Sequence, residues 1–331
     1  MMTRTSRRLM LVVVLTVVAA ATAADPFQGE YAGTFHADSR TQMPATACVV
    51  AERETHGHTN GWRITVTAAG KKGERDGAVI EVYGDLAGPR VNISYPSGGY
   101  EWRGEIRDGR LTLRSAYGQH LELKKVTRTS PKEGLKPPAG AVVLLPYKKG
   151  VKPSLSAWTN QNWKALDNGA MQVNKGATRT KTSFGDIKHL HIEFRLPLEP
   201  NNRGQGRGNS GVFLNDTYEV QVLDSFGLVH TSGDCGGLYN LKRADVNACL
   251  PPETWQTYDI EFLAPRFNSN GSVKENARLT VYHNGVRIHE NVELPHPTAN
   301  PKAKVKVTGP IQLQDHGHPI QYRNIWLVEA N

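Results

Sequence analysis

The sequence predicts an all-β chain: a small β domain followed by a larger two-sheet sandwich. Three observations carry this expectation. The 331 residues include 32 Gly and 19 Pro but only 8% aromatics, a balance that favours short strands and frequent turns over helices. Segment after segment alternates apolar and polar residues with period two, the signature of strands with one buried face. Asp108-Gly109 and Asn284-Gly285 each follow such a segment, and both dipeptides favour the left-handed turn of a tight hairpin.

The elements follow in order. Residues 1–24 read as a signal peptide: a basic start with Arg4, Arg7 and Arg8, an apolar run from Leu9 to Val18, and a small-residue cleavage site at Ala21-Thr22-Ala23. The apolar run is short for a membrane span of ~20 residues, and no second run follows. An exported protein, periplasmic or extracellular, with no integral membrane segment after processing is expected. Residues 25–128 form the small β domain, through alternating stretches at 61–67, 78–83, 101–106, 110–114 and 121–124. His56-Gly57-His58 lies there without a third metal ligand nearby. Residues 129–140 carry Pro131, Pro137 and Pro138 among lysines and glycines and read as a solvated linker. Residues 141–331 supply at least seven strands, at 189–195, 210–214, 217–223, 256–262, 277–283, 311–314 and 322–327, enough for a sandwich.

Composition excludes some functions. The formal charge is +9, and removing residues 1–24 leaves about +6, much of it between Leu121 and Lys152. That stretch mixes its charge with Pro and Gly rather than with stacking aromatics, so a nucleic-acid partner is not expected. Three cysteines remain for an oxidising compartment. Cys235 and Cys249 close the shorter loop and are the expected disulfide, worth ~3 kcal/mol in the chain-entropy picture, which leaves Cys48 as a buried thiol; three unpaired buried cysteines are the alternative.

Alternation also sorts polar side chains. Glu193, Glu219, Gln221, Gln312 and Gln314 fall on the polar side of their strands, and together they predict one face rich in groups that hydrogen-bond sugar hydroxyls. Glu219 and Gln221 point the same way, whereas Asp224, at an odd offset, joins them only through a bulge. Asn209 follows a long polar loop. His316, in Gln314-Asp315-His316-Gly317-His318, sits at a strand end beside an acid, and Arg323 lies on the closing strand. A base, an acid and a cation in one cleft suit proton-transfer chemistry.

At these residues the C-terminal domain resembles the 3-keto-disaccharide hydrolase domain family. The resemblance rests on Glu193-Phe194-Arg195, Asn209-Ser210-Gly211-Val212-Phe213-Leu214, Tyr218 to Ser225, Gly237-Leu238-Tyr239, Trp255-Gln256-Thr257-Tyr258, Gly309 to Gly317 and Tyr322-Arg323-Asn324-Ile325-Trp326. It implies a concanavalin-like jelly roll, akin to lectins and glucanases whose catalytic strand reads E-x-D-x-x-E. Here that strand reads Glu219-x-Gln221-x-x-Asp224, which departs from the two-acid retaining pattern.

The resemblance implies an oligosaccharide or glycoside substrate oxidised at C3, cleaved on the concave face by elimination and hydration or by hydrolysis. Glu219 or His316 is then the base, Asp224 the acid, and Arg323 or a bound divalent ion the electrophile for an enolate. Glu193, Asn209, Gln221, Gln312, Gln314 and Arg323 hold the sugar. No cofactor is demanded by the sequence; a divalent cation is possible, with Asp224, Glu193 and His316 as oxygen and nitrogen ligands. The rival expectation is a non-catalytic, lectin-like envelope module that uses Tyr218, Tyr239 and Trp255 for stacking. A structural envelope or adhesion protein is a third.

Overall fold

The computed structural model describes residues 25–54, 56–68, 78–298 and 300–330; the expected signal peptide lies outside them. Nearly all the regular structure is strand, joined by long turns and irregular segments, with a single 3₁₀ turn at Gly204–Gly206 among the described residues.

The N-terminal strands are β1 (Gly29–His36), β2 (Gln42–Ala51), β3 (Gly61–Ala68), β4 (Ala78–Ala87), β5 (Arg90–Ser97), β6 (Tyr100–Arg107), β7 (Arg110–Ser115) and β8 (His120–Val126). Each pairs antiparallel with the next, and β8 returns to β1, so the small domain is a closed eight-stranded barrel without free edges. Its interior is filled by the apolar partners of the alternation, among them Val49, Ile64, Val82, Val91, Leu111 and Leu123, all fully buried. The expected turn joins β6 to β7, with Asp108 at φ 49° and Gly109 at φ 71°.

The C-terminal strands are β9 (Val142–Leu145), β10 (Lys164–Ala165), β11 (Met171–Gln172), β12 (Thr178–Arg179), β13 (Ile187–Arg195), β14 (Ser210–Leu214), β15 (Tyr218–Val222), β16 (Trp255–Leu263), β17 (Arg266–Phe267), β18 (Val273–Glu275), β19 (Ala277–His283), β20 (Val286–Leu294), β21 (Gln312–Leu313) and β22 (Gln321–Glu329). A large sheet runs β10-β11-β22-β13-β16-β19-β20 with β9 against β22; a small one runs β12-β21-β14-β15. They form a sandwich. Leu190, Ile192, Phe194, Tyr258, Ile260 and Val281 of the large sheet share one core with Val212, Leu214, Val220, Val222 and Leu313 of the small one. The Tyr322 hydroxyl donates to Ser210 Oγ (2.8 Å), tying the sheets together inside that core.

Two expectations change here. The segment 129–140 is not solvated throughout: Gly134 N donates to Glu193 Oε1 (2.6 Å), Glu133 pairs with Arg323 (2.6 Å), and Leu135 O accepts from Asn324 (2.9 Å) and Trp326 (3.2 Å). It is strapped across the outer face of the large sheet, because that face offers buried polar groups that need partners. The cysteines are all buried and none forms a disulfide. Cys235 Sγ meets the Tyr258 hydroxyl (3.2 Å), and the Cys249 thiol donates to Leu250 O (3.5 Å). Loop-closure entropy favoured the bond, but the core satisfies both sulfurs as thiols.

Candidate active site

The small sheet sets two rungs of outward side chains. Glu219, Phe213 and Gln312 lie side by side in register; Gln221, Gly211 and Gln314 form the next rung. Gly211 has a specific use: a Cβ built on it would lie 2.2 Å from Glu219 Oε1, so the Glu219 carboxyl leans onto the one position without a side chain. Glu219 is 2% exposed. Its carboxyl has no hydrogen-bond or ion-pair partner among the described residues, and burial alone pushes its pKa up to about 8. A carboxyl so placed is protonated at neutral pH yet can give up and regain a proton within the working range.

Around it stands a set of amides. Gln221 Nε2 donates to Gln205 Oε1 (3.1 Å) and Gly233 O (3.2 Å), and Asn209 Nδ2 donates to Gln205 O (2.8 Å) and Oε1 (3.0 Å). Asn209 Oδ1, Gln312 Oε1 and Gln314 Oε1 are buried without a partner. Buried acceptors in native proteins are nearly always satisfied, so three on one face call for donors from water or a ligand. Tyr239, half-buried, flanks the site with its backbone N–H on Glu219 O.

The remaining expected site residues go elsewhere. The β14–β15 register is unbroken from Ser210 to Leu214, so the bulge that would return Asp224 to the Glu219 side does not occur within it. Asp224 lies past the strand end in a buried ion pair with Arg207 (2.6 Å). That pair holds the polar loop in place, helped by the barrel: Arg207 donates to Ala51 O (3.2 Å), Arg53 N to Pro200 O (2.9 Å), and Arg203 to Arg53 O (2.7 Å). His316 is exposed at the rim, stacked on His318, which meets Glu199 (2.7 Å).

Glu193 and Arg323 are on the other side of the molecule. They pair at 2.6 Å on the outer face of the large sheet, under the strap, with Arg323 over the rings of Trp255 (4.0 Å) and Tyr147 (4.3 Å). The expected single polar face is therefore two faces, since alternation separates inside from outside but not one sheet from the other. The cation set Asp224, Glu193 and His316 is dispersed for the same reason. Of the stacking aromatics, Tyr218 is in the core against Phe262 and Trp255 is covered by arginines; Tyr239 alone borders the site.

Sequence reasoning missed Gln205 and Arg207, whose polar loop was visible but whose direction was not. It also missed a cluster on the large sheet: His189 and His191, two apart on β13, with Asp259 opposite on β16, their ligand atoms all within 4.8 Å of one another. The period-two His-x-His was legible; its cross-strand acid was not. Burial opposes charge on Asp259, but hydrogen bonds from His189 and His191 hold its pKa down to about 2.

No functionally curated protein matches the chain. Among solved structures it is similar to a candidate glycosyl hydrolase from Parabacteroides distasonis, 37% identical over 58% of this chain and 85% of that one, with a TM-score of 0.53. A second candidate glycosyl hydrolase from the same organism is more distant, 13% identical over 54% of this chain and 90% of its own, with a TM-score of 0.41. The family model described as 3-keto-alpha-glucoside-1,2-lyase-like domain matches residues 149–328, which contain both sheets of the sandwich from β10 onward and every residue around Glu219 described above except the barrel's supports. Over that span the chain belongs to the 3-keto-alpha-glucoside-1,2-lyase-like domain family.

Proposed function

We propose that the protein is an exported carbohydrate-active enzyme that cleaves 3-keto-glycosides by elimination on the outer face of the small sheet, with Glu219 as the group that moves the proton. The observation that carries this is the buried, partnerless Glu219 carboxyl leaning onto Gly211, whose pKa burial raises to about 8. A ketone at C3 acidifies the C2 hydrogen. Ionised Glu219 takes that proton, the C2–H electrons become the C1=C2 bond, and the C1–O bond breaks. The departing oxygen leaves as an alcohol when Glu219 returns the proton to it. No electrons are gained or lost overall, and water adding back across C1=C2 completes a net hydrolysis. The open oxygens of Asn209, Gln312 and Gln314 receive sugar hydroxyl donors.

Asp224 and Arg323 take no part in this scheme, because each is committed to an ion pair away from the Glu219 carboxyl. Export is supported by the composition of Met1–Ala24. The test is to incubate the purified protein with a 3-keto-disaccharide in deuterated water and follow release of the alcohol and label at C2 by NMR. Wild type releases the alcohol and Glu219→Gln does not. Binding of unmodified glycans without cleavage of the keto substrate would replace this reading with a lectin-like one.

A further inference from the structure

We propose that His189, His191 and Asp259, on the outer face of the large sheet, form a binding site for a divalent transition-metal ion of the zinc class, separate from the Glu219 site. The three side chains come from two adjacent strands: His191 lies directly opposite Asp259, and His189 sits at the bulge in the pairing between Ile187 and Leu190, which turns it to the same face. Both imidazoles aim a nitrogen at one oxygen: His189 Nε2 lies 2.7 Å and His191 Nδ1 2.8 Å from Asp259 Oδ1. Two neutral imidazoles and a carboxylate are the donor set that suits zinc and its neighbours, and three protein ligands leave a fourth position open.

Three further observations point past a self-contained hydrogen-bond triad. Asp259 Oδ2 is buried without any partner, an acceptor the triad leaves unused. The remote nitrogen of His191 faces Glu193 Oε1 at 3.5 Å, the carboxylate–imidazole arrangement that orients metal-binding histidines, and Glu193 is itself fixed by Arg323, Asn324 and Gly134. The Trp326 ring stacks on the buried His191 at 5.2 Å and fixes it, and meets the more exposed His189 edge-on at 4.8 Å.

The site also has an entrance. His189 and Asp259 line a groove of about 1200 Å³ that runs over β13, β16 and β19 beside the strap. A tetrahedral ion with bonds of ~2.05 Å sets its ligand atoms ~3.3 Å apart, about half an ångström wider than the two nitrogen–oxygen spacings here and within the 4.8 Å that spans the whole set. His189, whose side chain is 35% exposed, is the ligand with room to give that distance. The ion then takes the place of the protons shared with Asp259, and each imidazole ligates as the neutral tautomer with its one proton on the other nitrogen, which in His191 is the one facing Glu193.

Titrating the intact protein with Zn²⁺ alone, at a pH where the imidazoles are neutral, tests this by calorimetry. Co²⁺ substitution, read by visible absorption, reports the nitrogen–oxygen donor set. One ion binds per chain, and His189→Ala weakens it by more than the ~10–100-fold that loss of an outer-shell partner costs. The half-exposed position of His189 makes that variant safe for folding, which circular dichroism checks. His189→Gln, which keeps a hydrogen bond to Asp259 but ligates poorly, loses affinity in the same way. Failure of wild type to bind one equivalent overturns the proposal, as does binding of unchanged affinity in both variants, which would place the ion elsewhere. Glycoside turnover enters none of these readouts, so their outcome is independent of the role given to Glu219.

Discussion

The two outer faces of the sandwich bury carboxyls equally well and treat them in opposite ways. On the large sheet Asp259 receives two imidazoles, and its pKa falls to about 2. Glu193 beside it is 0% exposed, yet Arg323, Asn324 and His191 overcome that desolvation and hold it below the usual carboxylate range. On the small sheet Glu219 is buried with no partner, and its pKa climbs to about 8. Desolvation is common to all three; the partner decides the direction. A buried acid supplied with donors is a fixed charge that holds structure or an ion, and one denied them is a proton store.

The sharpest break of this contrast is to remove each acid's charge in turn. Glu219→Gln lowers turnover of a 3-keto-disaccharide by about 10²–10⁴-fold, the usual range for a lost acid–base group, and leaves the fold intact. Because ionised Glu219 starts the reaction, wild-type kcat/KM rises with pH up to about 8 and then levels. A profile that instead falls through pH 8 would make Glu219 the proton donor and sink the order of steps given above. Substitution at the other face, Glu193→Gln, lowers stability and leaves the turnover of folded protein unchanged.

Next in size is the Arg207–Asp224 pair at the border of the site. Both side chains are almost wholly buried, at 4% and 1% exposure. Arg207→Met leaves a buried carboxylate alone and costs about 3–5 kcal/mol, read from urea denaturation. The double variant Arg207→Met with Asp224→Leu recovers most of it, because the unpaired charge goes with the second change. Equal losses in the single and double variants would show that the arginine's contacts to the barrel, and not the ion pair, hold the loop.

A smaller effect separates the faces by pH. A carboxyl with a folded pKa near 8 and an ordinary value of 4.5 keeps a proton that the unfolded chain releases. The protein therefore loses stability as pH rises from about 4.5 to about 8, by ~1–3 kcal/mol once relaxation of so buried a group is allowed for. Glu219→Gln has no such slope. Its melting temperature relative to wild type is higher at pH 9 than at pH 5, and a difference independent of pH would mean that Glu219 is solvated or paired in solution.

Much of this was legible in the sequence, and the residues show where legibility ends. Period-two alternation located the strands and told Glu219 from Val220, because that is local geometry. Asp108-Gly109 and Asn284-Gly285 placed two hairpins, since the left-handed turn selects those residues. Nothing local said that Glu193 and Glu219 belong to different sheets, so five polar residues on two faces read as one. The barrel's closure was equally invisible, because the β1–β8 pairing joins residues almost a hundred apart, such as Glu30 and Val126. The disulfide failed for a related reason: chain entropy ranks loops by length and is blind to how a core accommodates two thiols. His189 and His191 were in plain view in one strand, but they gain chemical meaning only from Asp259, 68 residues beyond His191.

The finest test compares amides. Gln312 Oε1 is buried with no partner beside Glu219, whereas Asn324, on the large sheet, donates to Glu193 Oε1 (2.7 Å) and Leu135 O (2.9 Å). If the first awaits a ligand and the second holds structure, replacing each by leucine has opposite effects. Gln312→Leu removes an unsatisfied acceptor and raises stability by about 1 kcal/mol, while KM for the keto substrate rises about tenfold, the value of one neutral hydrogen bond. Asn324→Leu strips a donor from a buried carboxylate and lowers stability by about 1–3 kcal/mol with KM unmoved. Stability falling in both would mean that Gln312 is satisfied in the free protein by ordered water; the small-sheet face would then be a hydrated surface whose amides act no differently from those of the large sheet.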